Sequence, residues 1–181
     1  TIPIGVLGFL FQDVIRDTFR NLWLVAIVLI VFGLILGAAD LLGRRDKGLR
    51  DITYRDGILV GLAQVLSLIP GVSRSGATTT MGRALGYERP AAAKYAFLLA
   101  IPAVFGAGLY ETYQALTEPS SAGYGWGPTV VATIVAFGVG LLVIRFLMAY
   151  ISKRSFLPFV VYRVALGSVL LVALGAGWIA A

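Results

Sequence analysis

Residues 70–78 read PGVSRSGAT, a stretch that places an arginine between two serines inside a long, largely uncharged segment. The flanking runs are GILVGLAQVLSLI at 57–69 and TTTMGRALGY at 78–87. Pro70 removes a backbone donor and Gly71 adds conformational freedom, so the pair predicts a break between two short helices. The polar residues therefore lie where the backbone turns.

The composition around this stretch is that of a membrane protein. The 181 residues are 59% hydrophobic and 13% charged, whereas soluble domains are about 45–50% apolar and about 25% charged. Uncharged runs close to the ~20 residues of a spanning helix occur at 22–39, 57–73, 95–110, 119–144 and 164–181. We therefore predict an all-α integral membrane protein, a polytopic helical bundle.

Residue types that the sequence lacks exclude several kinds of chemistry. There is no cysteine, which excludes disulfides and thiolate metal sites, and no histidine, the commonest general base and zinc ligand. The net charge of +6 fits basic loops at an anionic leaflet, because the arginines are scattered between the spans. We expect no nucleic-acid partner.

We predict a single membrane domain, 1–181, whose segments follow from these runs and the loops between them. They are an interfacial amphipathic helix or partial span at 1–21, spanning helices at 22–43, 91–110, 128–150 and 156–179, and a hairpin at 57–87.

Loop charges predict that the hairpin is re-entrant. The loop 111–127 has no lysine or arginine, whereas SKRS at 152–155 has two basic residues, so the first is outside and the second inside. The same rule places 44–56 and 83–94 on the inner side, so the segment between them must enter the membrane and turn back. Each arm has ~12 residues, about 18 Å, roughly half of the hydrocarbon thickness.

The tip of this hairpin has the composition of an anion site. Irregular backbone at membrane depth is tolerated where it lines a cavity, and an arginine there needs a partner. The hairpin arms hold no acidic residue, since Asp56 and Glu88 fall at their ends, so we predict that Arg74 binds a ligand anion at the N-terminus of the returning helix. The alternative is a kinked spanning helix in which Arg74 extends to the interface.

The remaining candidate residues have both functional and structural interpretations. Ser73, Ser75 and Thr78 are candidate phosphate donors, or helix caps; Gly71 and Gly76 allow close backbone approach; Gln64 and Ser67 line the cavity or hold helices together. We interpret Arg163 as extending to the cytoplasmic face, with a role in the site as the alternative, and every acidic residue as lying at an interface or in a loop. Five glycines are interpreted as helix-packing positions: Gly33, Gly37, Gly106, Gly138 and Gly140.

The motif also resembles a known family. PGVSRSGAT is similar to the pattern P-G-x-S-R-S-x-x-T of the undecaprenyl-diphosphate phosphatase family, the bacitracin-resistance type, and FLLAIP at 97–102 and SFLPFVVYR at 155–163 resemble its following and last spans. The resemblance implies a bacterial inner-membrane enzyme that removes the terminal phosphate of undecaprenyl diphosphate for peptidoglycan synthesis and gives bacitracin resistance. It also implies two inverted repeats, each with a re-entrant hairpin, and a divalent cation, magnesium or calcium.

The resemblance implies roles for these residues. Arg74 clamps the diphosphate, and Ser73, Ser75 and Thr78 donate to it. From their positions at the tip and on the entering arm, Gly71, Gly76, Gln64 and Ser67 are the candidate substrate-binding residues.

One part of the family pattern is missing from the sequence. Nothing here is similar to the glutamate-rich segment E-G-x-T-E-F-L-P-V-S-S-T-G-H, and the first residue is Thr1. We therefore expect a C-terminal portion that is inactive alone, with its metal ligands outside the chain and either a missing N-terminal half or a second copy as partner. The alternative functions are a lipid-phosphate transporter or flippase and a non-catalytic fragment.

Overall fold

The computed structural model describes residues 1–11, 21–117 and 126–179. This part of the chain is helical throughout, apart from turns and one isolated backbone bridge, which confirms the all-α fold class. Its helices are α1 (Ile2–Leu10), α2 (Leu22–Leu42), α3 (Tyr54–Val65), α4 (Arg74–Ala84), α5 (Arg89–Thr117), α6 (Trp126–Ile151) and α7 (Leu157–Gly175).

Four of these helices, α2, α5, α6 and α7, are long and apolar enough to cross a membrane, as expected for a multi-pass membrane protein. By contrast, α3 has 12 residues and α4 has 11, which gives each a length of about 17–18 Å. Neither short helix reaches across a bilayer by itself.

The helix ends differ from the predicted boundaries in three places. Helix α5 continues to Thr117 rather than ending near Tyr110, because no glycine or proline interrupts residues 109–117. Helix α7 ends at Gly175, and Gly177 follows with φ +71°. Helix α1 covers part of the predicted segment 1–21, whereas residues 12–20 lie outside the described residues.

Helices α2 and α7 form the most extensive helix pair, and small residues bring them together. A Cβ on Gly167 would lie 2.6 Å from Ile30 Cγ1, and one on Gly33 would lie 3.2 Å from Arg163 Cβ. A Cβ on Gly37 would lie 3.4 Å from Val160 Cγ1, an ordinary contact distance, so both Gly33 and Gly37 lie at the packed face of α2 as predicted.

The same prediction is wrong for the other three glycines within the described chain. A Cβ on Gly106, Gly138 or Gly140 would meet nothing within 4 Å there.

The hairpin formed by α3 and α4 returns to the place where it starts. The Tyr87 hydroxyl donates to Asp56 Oδ2 at 2.6 Å, and the N–H of Glu88 donates to the Lys47 carbonyl at 2.9 Å. The loop before α3 and the loop after α4 are thereby joined. The depth of the hairpin in a bilayer and the inverted repeat stay predictions.

Asp40 corrects the expectation that all acidic residues lie at interfaces or in loops. It occupies the last turn of α2 and is 3% exposed. Its carboxylate accepts from Arg83 Nε at 3.2 Å, from Arg89 Nε at 2.7 Å and from the Phe156 N–H at 3.3 Å. Asp40 therefore joins α2 to α4, α5 and the start of α7.

Arg83, which is fully buried, completes this junction. Its guanidinium donates to the carbonyls of Asp40, Gly43 and Arg44 at 2.9–3.2 Å, and also to the Tyr87 carbonyl. These bonds satisfy carbonyls at the end of α2 that lack helical partners.

Candidate functional site

The hairpin tip is an irregular backbone segment between two helices. After the short 3₁₀ turn Leu66–Leu68, the chain passes through residues 69–73 before α4 begins at Arg74. Gly71 has φ +95°, and a Cβ there would lie 2.9 Å from the Val25 carbonyl oxygen. Ser73 has φ +68°, a conformation that no other non-glycine residue in the described chain adopts. Such strain costs about 1–3 kcal/mol and is typical of ligand-binding positions.

The first turn of α4 presents hydrogen-bond donors at this tip. Ser73 is the N-cap, since its Oγ accepts from the Gly76 N–H at 3.2 Å. The Oγ atoms of Ser73 and Ser75 lie 3.5 Å apart. The N–H groups of Arg74 and Ser75 have no acceptor within the described chain. A helix N-terminus with free N–H groups favours an anion.

A cavity of about 470 Å³ lies beside the tip. Its polar lining comes from the tip and α4, together with one residue of α7: Gly71, Ser73, Ser75, Gly76, Thr79 and Arg163. Its apolar lining comes from α2, α5, α6, α7 and the residue before α7: Leu29, Leu36, Ala93, Phe97, Leu147, Ile151, Phe156, Phe159, Tyr162 and Leu166. The cavity therefore has both a polar and an apolar lining.

Arg163 of α7 holds the tip in place from inside the protein. The side chain is buried, and its Nη1 donates to the Val72 carbonyl at 3.0 Å. Nη2 donates to the Gly71 carbonyl, and Nε to the Leu29 carbonyl at 3.4 Å. The expectation that Arg163 extends to the cytoplasmic face is wrong, because its donors are directed to main-chain carbonyls of the tip and of α2.

This combination of motif, hairpin and cavity agrees with the protein-family comparison, in which the model described as bacitracin resistance protein BacA matches residues 1–169. The chain belongs to the bacitracin resistance protein BacA family. The resemblance inferred from PGVSRSGAT is thereby confirmed.

Several curated relatives of this BacA-family chain are named undecaprenyl-diphosphatase. The protein of Clavibacter michiganensis is 64% identical over 181 residues, and that of Micrococcus luteus is 59% identical over 182. An undecaprenyl-diphosphatase 2 of Agrobacterium fabrum is 49% identical over 181 residues. Each match covers 100% of this chain but only 64–66% of the relative, so the chain spans just under two thirds of their length.

Of the eight residues that the sequence predicted for the site, four meet at the cavity of this BacA-family chain. They are Gly71, Ser73, Ser75 and Gly76. Arg74 lies between two lining residues but is not itself part of the lining; it is half-buried, and its guanidinium has no hydrogen bond or ion pair within the described chain. Its predicted role as a phosphate clamp stays a prediction.

The other three predicted residues lie away from the cavity lining. Thr78 is 1% exposed, and its hydroxyl donates to the Arg74 carbonyl at 2.9 Å, a bond within α4. Ser67 donates to the Gln64 carbonyl at 2.7 Å. The Gln64 amide is fully buried, and neither its nitrogen nor its oxygen has a partner in the described chain. Their predicted contacts with substrate stay predictions.

The described residues do not form a binding site for the divalent cation that the family resemblance implies. No group of three or more acidic side chains comes together in that part of the chain, and Asp40 is engaged by two arginines. The polar lining of the cavity consists of hydroxyls, main-chain groups and a guanidinium, whereas magnesium and calcium prefer carboxylate and carbonyl oxygens.

Among the polar lining residues, the sequence interpretation missed Thr79 and did not favour a site role for Arg163. For Arg163 a signal existed, because it shares a helical face with Val160 and Gly167, at i−3 and i+4. That face packs against α2. An arginine on the packed face of a spanning helix points into the protein rather than toward the interface.

Proposed function

We propose that this BacA-family protein hydrolyses undecaprenyl diphosphate to the monophosphate in the bacterial inner membrane, which recycles the lipid carrier for peptidoglycan synthesis and gives bacitracin resistance. The observation that carries the proposal is that the cavity has both polar and apolar lining residues. Hydroxyls, free N–H groups and a guanidinium suit a phosphate head, and the leucine, isoleucine and aromatic side chains suit an isoprenoid tail. The names of the relatives support the same substrate.

In this proposal the chain supplies the phosphate-binding part of the site. The N-terminus of α4 and the hydroxyls of Ser73 and Ser75 stabilise negative charge on the phosphoryl group as it is transferred to water, and Arg74 takes the clamping role that the motif predicts. Thr78 remains a candidate donor. Because Asp40 is held by arginines and the cavity lining contains no carboxylate among the described residues, an acid or base must come from outside this set.

The proposed partner is therefore a carboxylate-bearing segment, such as the part of the longer relatives that this chain does not match. A second copy of the chain is the alternative, but its cavity would present the same hydroxyls and guanidinium. We favour the segment because it adds a residue type that the cavity lacks.

Phosphate release from undecaprenyl diphosphate in reconstituted vesicles tests this function. Residues 1–181 are assayed alone and together with the unmatched part of the Clavibacter relative. We expect little release from the chain alone and enzymatic turnover from the combination. Replacing Ser73 and Ser75 together by alanine should lower the turnover about 100-fold, whereas Thr133→Ala on the exposed surface of α6 should leave it unchanged.

Two outcomes would contradict the proposal. One is an absence of phosphate release from both preparations, with labelled lipid crossing the bilayer intact, which would favour a flippase. The other is a double variant that releases phosphate as fast as the unchanged protein.

A further inference from the structure

Arg163 is a buried cation without a buried anion beside it in the described chain. Its three hydrogen bonds go to neutral carbonyls, those of Leu29, Gly71 and Val72. The buried carboxylate of Asp40 is engaged by Arg83 and Arg89 instead. A buried guanidinium with only neutral partners is poorly compensated for its lost hydration, so a negative charge in the cavity would relieve it.

Arg163 has hydrogen-bonding capacity left for such a ligand. A guanidinium carries five N–H groups. One N–H of Nε, one of Nη1 and one of Nη2 are used by the three carbonyls. One N–H on each terminal nitrogen remains, and Arg163 lines the cavity.

The position of Arg163 brings these remaining donors next to the first turn of α4. Its Nη1 lies 3.3 Å from the position that a Cβ on Gly76 would take, and the Ser73 Oγ lies 3.3 Å from the same point. A larger residue at 76 would therefore enter the space between the guanidinium and the serine hydroxyl. The two groups of donors face one region from different helices.

We propose that Arg163 is a phosphate-binding residue of the cavity and that it gives the site its preference for a diphosphate over a monophosphate. The α4 N–H groups with Ser73 and Ser75 bind one phosphate, and the two remaining N–H groups of Arg163 bind the other. A diphosphate offers more charge and more acceptor oxygens than a monophosphate, so it alone engages both sets of donors. This inference rests on the proposed function for the nature of the lipid.

Binding of two probes to the 181-residue chain in detergent tests this inference without turnover. The probes are farnesyl methylenediphosphonate, whose P–C–P bridge is not hydrolysed, and farnesyl monophosphate, and calorimetry gives their dissociation constants. We expect Arg163→Gln to weaken diphosphonate binding about tenfold or more and monophosphate binding less than about threefold. Arg145→Gln, which changes an exposed arginine of α6, should leave both constants unchanged.

Arg163→Lys provides a second variant in case the glutamine variant does not fold, because lysine keeps the charge but lacks the planar fork. It should show the same selective loss for the diphosphonate, with a smaller change. Equal weakening of both probes by a folded variant would assign Arg163 to the scaffold alone, and unchanged binding would remove it from the site; either result overturns the inference. Failure of phosphate release, by contrast, would contradict the proposed function while leaving the probe preference measurable.

Discussion

Tyr87 and Asp56 form a hydrogen-bonded pair at the base of the hairpin. Burial, followed by the hydrogen bond to Asp56, raises the pKa of Tyr87 to about 12. The bond from the Tyr87 hydroxyl, together with Lys47, lowers the pKa of Asp56 below its ordinary value of 3.8. Folding therefore favours the ionised form of Asp56 and the neutral form of Tyr87.

The sign of the Asp56 shift gives a prediction about acid stability. A carboxylate with a lowered pKa in the folded state contributes stability that is present above about pH 4 and is lost as the pH falls through the folded value. We expect Asp56→Asn to lower the melting temperature in detergent at pH 6 and to lower it less at pH 3, where part of this contribution is already lost. Glu111→Gln, at an exposed position of α5, should leave the melting temperature unchanged at both pH values. If Asp56→Asn lowered the melting temperature equally at pH 6 and pH 3, the carboxylate charge would not be the cause.

At the residue scale, the sequence predicted the tip better than its surroundings. Gly71, Ser73, Ser75 and Gly76 could be predicted because they follow one another along the chain at a helix break. Arg163 could not be placed with them, since about 90 residues separate it from the tip and only the packing of α7 on α2 brings it there. The hydroxyl of Thr78 was predicted to donate to phosphate, but it donates instead to the carbonyl of Arg74, four residues earlier in the same helix.

Helices α2 and α7 depend on a glycine contact that a single methyl group would disturb. A Cβ on Gly167 would lie 2.6 Å from Ile30 Cγ1 and 2.7 Å from the Ala26 carbonyl oxygen. We expect Gly167→Ala to destabilise the protein by about 1–3 kcal/mol through overpacking, measured by thermal or denaturant unfolding in detergent.

Gly138→Ala provides the matched control for this substitution. It adds the same methyl group to α6, where a Cβ would meet nothing within 4 Å in the described chain. We expect no destabilisation, since alanine is the better helix former. Equal destabilisation by both variants would contradict close packing as the reason for Gly167.

The helices themselves were largely predictable because long apolar runs and proline–glycine pairs act locally. The ends of the helices were less predictable. Helix α5 extends past Tyr110 to Thr117, because the residues predicted to form a loop there continue the helix. The packing role of glycines could be predicted for α2 but not for α5 and α6, since small residues mark a contact only when another helix lies opposite.

Across the whole molecule, the Asp40 junction connects the hairpin to the spanning helices that surround the cavity. Leu36, one turn before Asp40, and Phe156, whose N–H donates to Asp40, both line that cavity. We expect Asp40→Asn to destabilise the fold by roughly 3–5 kcal/mol, because it leaves two arginines without their anion. Thermal unfolding measures this loss, with Asp46→Asn as a control at an exposed carboxylate.

A double variant separates charge from packing at this junction. Adding Arg89→Gln to Asp40→Asn removes one of the unpaired cations and should recover part of the loss. Simple additivity of the two losses would contradict the proposed charge compensation.

At this scale the sequence predicted a membrane bundle with a polar hairpin tip, but not the shape of the cavity. The cavity lining draws on α2, α4, α5, α6 and α7, and periodicity within one helix does not specify which faces of five helices converge. The Asp40–Arg83–Arg89 cluster was missed for the same reason, since Arg83 and Arg89 lie 43 and 49 residues from Asp40 along the chain.

Photolabelling by an isoprenyl diphosphate with a diazirine on its tail tests most directly whether this cavity binds the lipid. After irradiation of the protein in nanodiscs, mass spectrometry locates the labelled residues. We expect labels on cavity residues such as Phe97, Leu147 and Leu166, and loss of those labels when undecaprenyl diphosphate competes. Labels confined to exposed positions of α6 such as Val131 and Phe137, with no effect of the competitor, would contradict the account.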